Sequence, residues 1–224
     1  MIPTIELLKL KTFDSNPQLK KDLVKEILNH QKQDQIIKGT YGKLNGKWKG
    51  CAVGCSVRSL AITKGETLKE NYADHKRYET DLGIPESLAR LEDFLFENMP
   101  DDKAKKWPAE FIKAVPVGVN LSMIAPKFIV GTLKEVVKLK KVKGDKVVVK
   151  AVLDVTKLWE QVIVGNSPKE AAWRAAESAA RGAAWRAAES AARGAAWSAA
   201  WSAARSATAY KMSRWLLKLL RSAK

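Results

Sequence analysis

Two thiols, an imidazole and a carboxylate form the most reactive set of side chains in the sequence. Cys51 and Cys55 lie in Gly50-Cys51-Ala52-Val53-Gly54-Cys55. His75 and Glu79 follow in His75-Lys76-Arg77-Tyr78-Glu79. A thiol at the start of a helix has a lowered pKa, and as thiolate it is a nucleophile or ligand. An imidazole oriented by an acid then supplies a base. Cys51 or Cys55 with His75 and Glu79 is therefore the candidate catalytic set if the protein is an enzyme. Nothing in the spacing demands it. Buried structural cysteines and a loop-anchoring His75 are the plain alternatives. Cysteines four apart on one helix have diverging Cβ vectors, which disfavours a disulfide. Zinc sites normally use a two-residue spacer, and only two His are present, so no metal site is expected. No cofactor is expected either.

The second chemistry on offer is phosphate contact. Asn45-Gly46 lies between two runs of strand-like composition and predicts a β-hairpin over residues 35–52. Lys43, Lys47, Trp48 and Lys49 would decorate it, an interleaving of cations and aromatics that suits stacking and phosphate binding. Arg58, His75, Arg77 and Tyr78 complete the candidate ligand-binding set. A plain solvated hairpin is the alternative. The net charge of +16 points the same way. From Asn166 onward there are eleven basic and three acidic residues; before it there are twenty-nine and twenty-one. Each part carries +8, so the excess is denser in the last quarter. Such a balance suits a polyanionic partner, nucleic acid or a charged nucleotide, although an alanine-rich helix also needs arginine to stay in solution.

The elements that must hold these residues are mostly helical. Asn16-Pro17 starts a helix to about Gln33, ending near a solvated or C-capping His30. A loop passes into a helix near Cys51 or Gly54, and residues 64–74 are a loop. From Pro85 a helix runs to Asn98, burying Ile84, Leu88, Leu91, Leu95 and Met99 and leaving Glu92 and Asp93 on a solvated face. Trp107 to Ala114 and Leu121 to about Leu139 are helical, and residues 147–164 are read as a helix despite their β-branched opening. The last element is a repeat. Ala171–Gly182 and Ala183–Gly194 are identical units built of tetrads, followed by decayed ones and an amphipathic run over Tyr210–Leu220. Four residues turn a helix by about 400°, so the Ala-Ala pairs wind round the cylinder. A helix apolar on all sides is usually buried on all sides. The repeat is therefore expected to be the scaffold on which the rest packs, its arginines Arg174, Arg181, Arg186, Arg193 and Arg205 forming an anion-binding rod or its surface a homo-oligomer contact as alternatives. The expected fold is mainly α, with one small β-hairpin and a long Ala/Trp-rich C-terminal helix or helix pair. Residues 1–166 would be the body and 167–224 the repeat, together one domain. No apolar run is long enough to span a membrane, and the N-terminus lacks a secretory pattern, so a cytoplasmic location without membrane partners is expected.

The blocks Gly50–Cys55, His75 with Tyr78-Glu79, Leu82-Gly83-Ile84-Pro85 and Leu88-Ala89-Arg90-Leu91-Glu92-Asp93 resemble those of an uncharacterised family of bacterial and phage proteins that end in Ala-rich tetrads of variable length. The resemblance implies no activity. It implies that Cys51, Cys55, His75, Tyr78 and Glu79 share one local structure, and that Arg58 stands where a His would be expected. In a phage or defence setting, a polyanion-binding protein could sequester or shield its ligand. Three function classes follow: a non-enzymatic polyanion-binding protein, a small cysteine enzyme, and a structural or oligomer-forming protein.

Overall fold

The computed structural model describes residues 10–40, 48–67, 74–176, 178 and 198–224. These fall into two compact units, divided at Ile124/Ala125 and Trp201/Ser202.

The first unit takes the residues up to Ile124 together with Ser202–Lys224. A short 3-10 turn over Thr12–Ser15 leads into α1 (Pro17–Lys32). Asn16 caps α1 by accepting from the Gln18 and Leu19 amides, with Pro17 in its first turn. Among the described residues the segment between α1 and α2 shows no hairpin, which corrects the expectation for residues 35–52. Among the described residues there is no strand, only an isolated parallel bridge between Ile36 and Gly50. The Ile37 amide donates to the Gly50 carbonyl, and the Gly50 amide to Gln35. The Cys51 amide adds a third bond across the arms, to the Thr40 carbonyl at 2.8 Å, but the Gly39 amide donates to the Glu97 carboxylate and the Cys51 side chain caps the next helix. The Asn45-Gly46 turn lies outside the described residues.

Helix α2 (Ala52–Lys64) is closed at its far end by Gly65 in the left-handed region. Its small residues, Ala52, Gly54, Ser56, Ser59 and Ala61, are all buried, so neighbouring helices can pack on nearly every side. Helices α3 (Lys76–Leu82), α4 (Glu86–Asn98), α5 (Asp101–Ala104) and α6 (Trp107–Ala114) follow. Gly83 ends α3 at φ +63°, and a Cβ there would lie 2.4 Å from the Lys11 carbonyl oxygen. Only glycine permits both that dihedral and that approach, which is the physical content of the Leu-Gly-Ile-Pro block. Thr12 ties the same entry segment to the 116–119 loop: its hydroxyl donates to the Pro116 carbonyl and its amide to Val119.

The second unit runs from Ala125 to Trp201. Helix α7 (Ile124–Val136), the single turn α8 (Lys140–Lys143) and α9 (Lys146–Ile163) supply its described body. Asp145 caps α9 through the Val147 and Val148 amides, and a Lys134–Glu160 ion pair at 2.6 Å links α7 to α9. Residues 170–176 are helical, and Trp173 meets Trp159 edge-on at 5.1 Å.

Helix α10 (Ser198–Arg221) closes the chain. Ala209, Ser213, Leu216, Leu217 and Leu220 form its buried face, while Arg214 pairs with Glu110 of α6 at 2.8 Å. In the described start of the repeat, Ala171, Ala172, Arg174 and Ala175 are exposed and only Ala176 is buried. This is not the all-round burial expected of the tetrads. The side chains of Arg181, Arg186, Arg193 and Arg205 lie outside the described residues. No described helix is long and apolar enough to cross a membrane.

Candidate functional site

The blocks around Cys51, Tyr78 and Glu92 do meet in space, at the start of α2 beneath α3 and α4. Cys51 caps α2, its Sγ accepting from the Gly54 amide at 3.4 Å. Cys55 lies one turn on, its thiol directed at the Gly50 carbonyl at 3.8 Å. Both are free and buried. Burial, then the neighbouring Asp93 carboxylate, pushes the Cys51 thiol far above its ordinary value. Burial, then Cys51, does the same to Cys55. The helix start would favour a thiolate, but desolvation and a nearby anion outweigh it. At neutral pH both are thiols.

The acids of the Leu-Glu-Asp block line the same interior. Sequence periodicity placed them in water; the structure buries Glu92 completely and Asp93 nearly so. The buried arc of α4 is Leu88, Ala89, Glu92, Asp93, Leu95 and Phe96, and Phe94 turns outward, 52% exposed. Burial holds the Glu92 carboxyl well above the usual carboxylate range. Tyr78, also fully buried, is raised by burial and then by Glu92. Its hydroxyl lies beside Glu92 and Ser56 and feels both, yet no pair among them closes to hydrogen-bond geometry. The Trp107 indole N–H donates to the Glu92 carbonyl at 3.1 Å, fixing α6 to α4.

His75 faces Asp93, Nε2 to Oδ2 3.3 Å, and so pairs with an acid other than the one anticipated. Glu79 points away, accepting from the Glu86 amide at 3.0 Å and serving the otherwise uncapped start of α4. Cys51 and His75 thus both neighbour the Asp93 carboxylate, and the imidazole is placed to orient that acid. Among the described residues no group of three or more His, Cys, Asp or Glu side chains could hold a metal ion.

The anticipated phosphate contacts are placed differently. Trp48 is buried and not spread on a surface. Its ring is flanked by His30 at 4.9 Å between centroids and by the Arg58 guanidinium at 4.9 Å. His30, expected in solvent, is buried, with Nδ1 2.5 Å from the Gln35 side-chain oxygen. A Cβ on Gly50 would come within 2.7 Å of the Trp48 ring, so glycine is required where indole and backbone cross. Arg77 is held by Asp81 and Glu66, both at 2.7 Å, and Lys49 lies 4.0 Å from Asp34. Lys43 and Lys47 lie outside the described residues. A cavity of about 160 Å³ between Ile36, Phe96 and Ala104 is mainly apolar. Of its two lysines, Lys38 is taken by Asp101 and the Met99 carbonyl, and Lys105 by Asp34.

Protein-family models, curated proteins and solved structures were all compared with the chain. None matches it.

Cations concentrate elsewhere. Residues 125–224 hold twenty Lys or Arg against seven Asp or Glu, +13 of the total +16. On α7–α9, Lys127, Lys134, Lys138, Lys143, Lys146 and Lys150 are exposed. Lys134, Lys138 and Lys150 have single carboxylate partners at 2.6 Å on the surface. The signal for this lysine set lies in the run from Lys138 to Lys150, which the candidate ligand-binding set did not include.

Proposed function

We propose that the protein is a non-enzymatic binding protein for a polyanion, with nucleic acid as its ligand class. The observation that carries the reading is the excess of exposed lysines on α7–α9 over the carboxylates available to neutralise them. Exposed ion pairs contribute roughly 0–1 kcal/mol each, so Lys134, Lys138 and Lys150 exchange a carboxylate for a phosphate at little cost. A surface of this sign attracts polyanions over a Debye length, about 8–10 Å at moderate salt. The cysteine-enzyme reading draws no comparable support, because both thiols are buried and burial raises them well above the ordinary thiol range.

Retention of the full chain on heparin and on immobilised DNA tests the reading. Binding is expected to weaken steeply as salt rises, because released counterions are recaptured. Equal retention at low and moderate salt, or none at low salt, overturns it.

A further inference from the structure

We infer that Lys146, Lys150 and Lys157 form a backbone-reading stripe for double-helical nucleic acid, an assignment that rests on the polyanion reading and names its ligand and contact residues. The three lie on α9 at positions i, i+4 and i+11. At about 100° per residue they fall within roughly 40° of one another, spread over about 16 Å of helix axis. All three are exposed. Asp154 sits at the edge of the stripe, pairs with Lys150 at 2.6 Å and is also drawn toward Lys157. A duplex presents one negative charge per about 1.7 Å of axis, so a straight row of cations meets a continuous line of partners.

Two further observations choose the duplex over a single strand and the side chains over the helix end. Single-strand binding needs exposed aromatic rings on which bases stack. The residues between the lysines on this stripe are aliphatic: Leu153 is 40% exposed, and Val164, just past the helix, continues the line. The aromatic residue of α9, Trp159, is turned to the opposite side and engaged edge-on with Trp173. The start of α9 is closed by the Asp145 carboxylate on the Val147 and Val148 amides, so its N–H groups are not offered to an anion. Contacts of this kind position without reading sequence.

The test compares full-length wild type, the triple variant Lys146→Gln/Lys150→Gln/Lys157→Gln, and a control, Lys21→Gln/Lys25→Gln/Lys76→Gln. The control removes the same charge from exposed positions of the other unit. Gln is close to Lys in helix propensity, so the fold is kept. Binding of a mixed-sequence duplex, the matching single strand and heparin is measured over a salt series. For the duplex, the slope of log K against log salt is expected to flatten by roughly 2–3 in the stripe variant and by much less in the control, equally for duplexes of different sequence. Equal slopes in the stripe variant and wild type overturn the stripe while leaving polyanion binding intact. So does equal flattening in the control, or tighter binding of the single strand. Failure of wild type to bind any of the three probes overturns the polyanion reading and the stripe with it.

Discussion

The unit of residues 10–124 and the stretch from 125 to 176 are both helical, but they use charge in opposite ways. In the first, several cations are held by its own carboxylates: Arg77 by Glu66 and Asp81, Lys105 by Asp34, Lys38 by Asp101. Its acids even enter the interior, where Glu92 lies with no exposure at all. In the second, residues 125–166 carry nine lysines against four acids, and α9 buries only Ala151 and Thr156 of its 18 residues. A region that cancels its own charge and spends its polar groups on packing is organised to hold itself. A region that leaves cations in water is organised to meet something else. The blocks with reactive side chains belong to the first kind, which is why the most reactive residues in the sequence are poor guides to function here.

The largest effect that would test this division is on the anchoring of the first region. Gly83→Ala must place a Cβ 2.4 Å from the Lys11 carbonyl at φ +63°. It is expected to cost about 2–4 kcal/mol, seen as a lower denaturation midpoint. Gly65→Ala provides the comparison, since φ is +68° but no atom lies within 4 Å. Its expected cost is only about 1 kcal/mol, that of the dihedral. Equal costs would mean that the approach to Lys11 contributes nothing.

Next in size is the buried acid. An unfolded chain releases the Glu92 proton near the ordinary carboxyl value of about 4.3. The folded chain retains it to higher pH, because burial raises the carboxyl. Between those two values the native state binds more protons, so stability falls as pH rises, by up to about 1.4 kcal/mol per pH unit. Glu92→Gln cannot ionise. Its melting temperature relative to wild type is expected to climb steadily from mildly acidic to mildly alkaline pH. Parallel curves would show that Glu92 is not held neutral. The thiols give a kinetic companion. In the native protein, Cys51 and Cys55 should alkylate at least about a hundredfold more slowly than in denaturant, at a rate set by local opening. One fast native thiol would return Cys51 to the list of nucleophiles and dissolve the contrast between the two regions.

Much of the helical frame was legible. Asn16-Pro17 starts α1 as capping chemistry requires, and the pattern from Val147 reads as a helix against its β-branched opening. The misses share a cause, which is that tertiary partners outrank local pattern. The arms flanking Asn45-Gly46 resemble a hairpin until Glu97 claims the Gly39 amide and the α2 cap claims the Cys51 side chain. Leu91 drew the expected face of α4 away from Glu92 and Asp93, because hydrophobicity counts a carboxyl as surface. A protonated acid beside Tyr78 escapes that rule. The alanine tetrads look like core because they are apolar, yet alanine offers little area to bury, and the side chains that dock α10 are leucines.

The smallest expected effect on stability is the most diagnostic for the second region. Lys143 and Lys146 are exposed, and neither forms an ion pair among the described residues. If they were there to support the fold, replacing them would lower the melting temperature. On the present reading Lys143→Gln/Lys146→Gln leaves thermal unfolding within about 0.5 kcal/mol of wild type, because no packing or partner is lost. The same substitutions should nonetheless bring elution from heparin forward to lower salt, since each lysine withdrawn from a phosphate contact removes about one released counterion. Stability and binding would then separate, one flat and the other shifted. If melting falls while heparin elution stays put, the lysines are structural, and the second region resembles the first after all.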